Sequence, residues 1–113
     1  MLEVVFARVR EGKVDALKEW MEELKRREDE VLETFRNEGT HHERVFLLEG
    51  RDGPIVAYVM EVEDPERARE AYRASTLPID LEHREVMDEV LAEALPVEEL
   101  LDLSMHRGYR GSR

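Results

Sequence analysis

Five side chains in this sequence are of the types that move protons or hold small molecules, and their spacing limits what each could do. His83 sits on an apolar stripe of helical period, four residues after Ile79 and three and four before Val86 and Met87. Asp80 precedes it by one turn, near enough to accept a hydrogen bond from an imidazole nitrogen, fix the ring's tautomer and raise its basicity. Such a pair is the minimum for a general base or for a single-histidine ligand to haem iron. The plainer alternative is a half-buried histidine satisfied by Asp80 or a carbonyl. With the ring partly exposed, the carboxylate is expected to outweigh burial, so His83 is expected to titrate above an ordinary histidine.

Tyr58 lies in the middle of the apolar run Ile55–Val62. An aliphatic residue would fill a core there equally well and leave no hydroxyl to satisfy, so Tyr58 is either a donor to a ligand oxygen or a core residue tied to a neighbour. Glu43 shares a strand face with Val45 and Leu47; it points inward if that face is covered and is a strand-end charge in water otherwise. Trp20, the only tryptophan, falls on the apolar stripe of the first helical region, where it packs the core or lines a pocket. His41 and His42 are adjacent, so in an extended segment they point opposite ways and cannot chelate one metal. Helical metal motifs, glycine-rich phosphate loops and G-x-S-x-G elbows are absent, which disfavours metal, ATP, dinucleotide and serine hydrolase chemistry. No cofactor and no metal is expected.

The elements that hold these residues follow from periodicity. Leu2–Arg10 reads as a strand closed by Glu11-Gly12. Lys13 to Glu38 reads as one long helix with Leu17, Trp20, Met21, Leu24, Val31, Leu32 and Phe35 on its apolar side, stopped by Gly39. His42–Glu49 and Pro54–Glu63 read as hairpin strands joined by Gly-Arg-Asp-Gly. Asp64-Pro65-Glu66 opens a second helical region with an N-cap, a proline at the first position and an acid against the dipole. That region breaks at Ser75–Pro78 and resumes along Ile79, His83, Val86, Met87, Val90, Leu91 and Ala94 until Pro96. Val97–Met105 then alternates at Leu101, Leu103 and Met105, which suits a last strand better than a helix, though Glu98–Leu101 could instead extend the helix.

The resulting order is βαββαβ, the ferredoxin-like plan: an α+β fold with a four-stranded antiparallel sheet and helices on one face. Val45–Leu48 and Ile55–Val62 are apolar on both faces, and Val4–Val9 is interrupted only by Arg8. The face away from the helices therefore needs a cover, and a second copy of the chain supplies one. The chain resembles the dimeric α+β barrel superfamily, and within it an uncharacterised family of small prokaryotic proteins. The residues that carry the resemblance are Glu3-Val-Val-Phe-Ala-Arg-Val followed by Gly-Lys and a helix bearing Trp20, then Glu43-Arg-Val-Phe-Leu, and Ser75-Thr-Leu-Pro-Ile-Asp-x-x-His83. The superfamily spans haem-degrading and antibiotic-biosynthesis monooxygenases, muconolactone-type isomerases and chlorite dismutase-like haem enzymes. Its haem-degrading branch pairs a histidine on the second helical segment, which His83 matches, with an asparagine on the first strand and a tryptophan on the third, where this chain offers Phe6 or Arg8 and Tyr58 or Met60. Haem binding through His83 stays a minority reading.

The chain has 113 residues with 28 acids and 17 bases, a formal charge of −11. Residues 1–105 read as a single domain and 106–113 as a flexible basic tail. With Arg107, Arg110 and Arg113 in that tail, the domain is more acidic still and repels nucleic acid and anionic membrane. There is no cysteine, signal-like N-terminus or long apolar run, so a cytoplasmic protein is expected. The combined expectation is a homodimer with a pocket between sheet and helices, lined by Trp20, Glu43, Tyr58, Asp80 and His83, that binds a small organic molecule. One reading adds cofactor-independent proton transfer, with His83 as base, Asp80 as its orienter and Tyr58 as donor. The other is a non-catalytic binding or assembly module; sequence alone leaves open whether this is an enzyme.

Overall fold

The computed structural model describes residues 1–105; the basic tail expected at 106–113 lies outside the described residues. The elements are β1 (Leu2–Val9), α1 (Val14–Arg26), α2 (Glu28–Glu38), β2 (Thr40–Gly50), β3 (Gly53–Val62), α3 (Pro65–Ala74), α4 (Pro78–Val90) and β4 (Leu91–Leu95). The strands form one antiparallel sheet in the order β2-β3-β1-β4. The protein is thus α+β, with a four-stranded antiparallel sheet and four helices. Among the described residues no helix is long and apolar enough to cross a membrane.

The core lies where α1 and α4 meet the sheet: Leu17 from α1 and Val90 from α4 pack on Ala7, Val9, Val56 and Tyr58. Tyr58 therefore faces the helices. Strand alternation puts Val56, Met60 and Val62 on the same side and, through the Val45↔Tyr58 and Glu43↔Met60 register, Val45 and Glu43 as well. Leu2, Val4, Phe46 and Leu48 alternate to the opposite face and are exposed.

Several local signals act as their chemistry requires. Gly39 ends α2 in the left-handed region at φ 77°, its N–H donating to the Phe35 carbonyl at 2.8 Å. Asp64 caps α3, accepting from the Glu66 and Arg67 N–H groups. The hairpin turns through Gly53 at φ 120°, where a side chain would be strained.

Two expectations are corrected. The long helix Lys13–Glu38 is two helices broken at Arg27, whose backbone leaves helical geometry at φ −110° and ψ 38°. The break has a stabiliser that periodicity does not show: the Arg27 guanidinium gathers Glu30 at 2.8 Å and Glu82 of α4 at 2.6 Å. The bend lets α1 lie against α4 while α2 turns onto α3 and β2.

The last strand is not Val97–Met105 but Leu91–Leu95, which follows α4 directly and pairs with β1 through Val9↔Leu91, Ala7↔Ala94 and Phe6↔Leu95. Leu91 and Ala94 fit a helical stripe and a strand about equally, and the free edge of β1 decides between them. Pro96 consequently ends a strand. Residues 96–105 form neither helix nor strand and leave Leu100, Leu101, Leu103 and Met105 more than two-thirds exposed.

Candidate functional site

A cavity of about 540 Å³ lies between the sheet and the helices. The sheet contributes Glu43, Val45, Tyr58 and Met60; α2 contributes Phe35 and Glu38; α3 and α4 contribute Tyr72, Asp80, His83 and Met87. Its wall is mainly apolar with a few polar groups, and its volume falls within the ~300–1,000 Å³ of small-molecule sites. Four of the five residues singled out by sequence share this wall. Trp20 is buried behind His83 and is not part of it.

The hydrogen bonds around His83 differ from those expected. Its Nδ1 accepts from Trp20 Nε1–H at 2.8 Å, and Tyr72 meets the ring edge-on with centroids 6.1 Å apart. Asp80 is buried but bonds elsewhere, accepting Ser75 Oγ–H at 2.5 Å. The Ser75 oxygen in turn accepts the Leu77 N–H at 3.2 Å, so Asp80 locks the start of α4. Burial pushes the His83 pKa down; nearby Asp80 opposes that and Arg84 adds to it, and the net shift is downward. The expected rise is corrected because desolvation of the half-buried ring outweighs an acid that is already committed to Ser75.

Glu43 sits on the helix-facing side of edge strand β2. Among the described residues no hydrogen bond or ion pair reaches its carboxylate, and burial raises its pKa to about 7. Tyr58 donates its hydroxyl proton to the Met87 sulfur at 3.1 Å, and burial keeps the phenol neutral well beyond its usual range.

Sequence reasoning overlooked three residues of this site. Glu38 rises to about 7 through burial and then Asp80, with a 3.2 Å hydrogen bond from Thr40 pulling the other way. Tyr72 is pushed up to about 12, mainly by burial. Arg84 donates to the carbonyls of Tyr72 (2.7 Å), Arg73 (3.2 Å) and Ser75 (2.6 Å), closing the C-terminus of α3 and holding Tyr72 under its guanidinium. Each occupies an ordinary helix-surface position in the sequence, and only the approach of a neighbouring helix marks it.

Among the described residues no group of three His, Asp or Glu side chains could hold a metal ion. His41 instead meets Glu63 at 2.7 Å on the surface.

The class defined by these features is a small single-sheet α+β protein with a largely apolar cavity between sheet and helices, bordered by Glu43 and by an imidazole that Trp20 orients. The chain belongs to a family of unknown function, DUF6176, which it matches over residues 1–108. No curated protein and no solved structure matches it.

Proposed function

We propose that this protein is a ferredoxin-like protomer of a dimeric α+β barrel whose cavity binds a small, mostly apolar organic molecule. The cavity of about 540 Å³ carries the reading, because it places an unpaired Glu43 and the free edge of His83 in one apolar space.

Trp20 gives the test its signal, since its indole N–H is bonded to a wall residue. Titration with neutral cyclic ketones such as 2-tetralone shifts Trp20 emission saturably. Ala68→Phe, which fills the wall between α3 and the sheet, abolishes the shift while circular dichroism stays native. A linear, non-saturating response identical in both proteins overturns the reading.

A second copy is the cover that both exposed apolar surfaces call for. Leu2, Val4, Phe46 and Leu48 present one such surface on the sheet, and Leu100, Leu101, Leu103 and Met105 present another on the segment after β4. These eight side chains would form the apolar centre of an interface that reaches the ~800 Å² per partner of a standard one with its polar rim. Light scattering at micromolar concentration gives a dimer; a stable species at the chain mass of 13.3 kDa sinks this part of the proposal.

A further inference from the structure

We propose that Glu43 is the proton acceptor of the cavity and His83 a neutral N–H donor, so that the site takes a small neutral carbonyl compound with an acidic C–H beside the carbonyl and moves that proton. This rests on the small-molecule reading above and reverses the roles that the sequence suggests for the histidine.

Trp20 decides the direction. An indole nitrogen only donates, and here it donates to His83 Nδ1 at 2.8 Å. Nδ1 therefore carries a lone pair, and the single proton of the neutral ring sits on Nε2. Since His83 lines the cavity and Trp20 does not, the ring edge left for the cavity is the one that bears Nε2–H. A histidine in that tautomer offers a ligand a donor and no basic nitrogen. Asp80 does not convert it to a base, because its carboxylate is bonded to Ser75. Burial, which keeps the ring neutral, acts in the same sense.

Glu43 is the acceptor by position. It lies on the cavity side of β2, two pairs along from the Val45↔Tyr58 register, and among the described residues it has no hydrogen-bond or ion-pair partner. The ionisable groups that face it are Glu38 from α2 and Tyr58 from β3; those around His83 are Asp80 and Arg84 on its own helix and Tyr72 from α3. With a pKa near 7, Glu43 is both base and conjugate acid at neutral pH, the condition for shuttling one proton. Tyr58 is a second donor, since its present acceptor is a thioether sulfur, a weak one.

The step balances without an oxidant or reductant. The Glu43 carboxylate takes the proton from the carbon beside the carbonyl. The C–H electron pair becomes the C=C bond of an enolate, and the carbonyl π pair moves onto oxygen, where His83 Nε2–H and Tyr58 O–H hold it. The Glu43 carboxyl then returns the proton to carbon. An anionic ligand is disfavoured because the wall is acidic and its arginines are engaged, Arg69 by Glu3 at 3.2 Å and Arg84 by three carbonyls; a neutral carbonyl compound needs no charged partner there.

The full chain is incubated with 2-tetralone in D₂O at neutral pH. Deuteration beside the carbonyl is followed by proton NMR and binding by Trp20 emission. The wild type accelerates exchange over buffer; Glu43→Gln binds the ketone equally but loses about 10²-fold or more of the acceleration. His83→Gln, which keeps an N–H donor, retains more rate than His83→Leu. Saturable binding with no exchange that depends on Glu43 overturns this assignment and leaves the pocket reading standing; no saturable binding overturns both. A ¹⁵N spectrum that shows a proton on His83 Nδ1 in the neutral ring also overturns it.

Discussion

Replacing Glu43 by glutamine should stabilise the protein, and by an amount that depends on pH in a calculable way. Burial raises the Glu43 pKa from the ordinary 4.5 to about 7. Between those two values the folded chain holds a proton that the unfolded chain releases. The benefit is complete below pH 4.5 and is lost as pH climbs through 7. At ~1.36 kcal/mol per pH unit, ionised Glu43 costs the native state about 3 kcal/mol above pH 8, an upper figure because the cavity opens to water. Glutamine has nearly the same volume and no charge to desolvate. Glu43→Gln should therefore match the wild type at pH 4.5 and exceed it by ~1–3 kcal/mol at pH 8.5. Loss of the Glu43 charge also lets the neighbouring Glu38 ionise more readily, which adds in the same direction. Urea unfolding followed by Trp20 fluorescence measures the difference, with an unchanged slope showing that only stability moved. Glu19→Gln on the exposed face of α1 is the control for net charge, which at −11 favours removal of any acid. A gain that is flat across pH, or equal in the control, refutes the reasoning.

Four further outcomes follow from the structure. His83 should titrate below 6.5 by NMR; because the unfolded chain takes that proton first, its contribution falls as pH drops below 6.5, and His83→Leu should lose less stability on acidification than the wild type. Trp20→Phe should cost ~1–3 kcal/mol in urea unfolding beyond its change in packing, by leaving Nδ1 without its donor. Arg84→Met should destabilise by about 2 kcal/mol, since three carbonyls at the end of α3 lose a charged donor together; hydrogen exchange should locate the loss in α3, and a uniform loss of protection would count against that role. Leu100→Asp with Leu103→Asp should shift the light-scattering mass toward monomer while circular dichroism stays native; an unchanged mass would remove residues 96–105 from the interface.

Local chemistry was readable wherever one residue suffices. Gly39, Asp64-Pro65 and the Gly50–Gly53 turn each act through their own backbone preference, and the structure uses each one. The break at Arg27 was not readable, because its stabilising partner Glu82 is 55 residues away. The placement of β4 was hidden for a related reason: Leu91–Leu95 satisfies both periods, and the unpaired edge of β1 selects the strand.

The candidate site divides along the same line. Residue type and periodicity were enough to nominate His83, Asp80, Tyr58 and Glu43, since a polar group on an apolar face is visible in one dimension. What each does was not visible there. Spacing along α4 suggested that Asp80 would orient His83, but Ser75 lies closer to that carboxylate in space and Trp20, 63 residues from His83, takes the ring nitrogen. The tautomer of an imidazole is set by whichever donor or acceptor packs against it, and the pKa of a carboxyl by how much water remains around it. Both are properties of the surrounding volume. The sequence by itself determined which groups face the interior; only the packing of α1 and α4 over the sheet decided that the His83 ring accepts from Trp20 and that Glu43 is buried with no hydrogen-bond partner among the described residues.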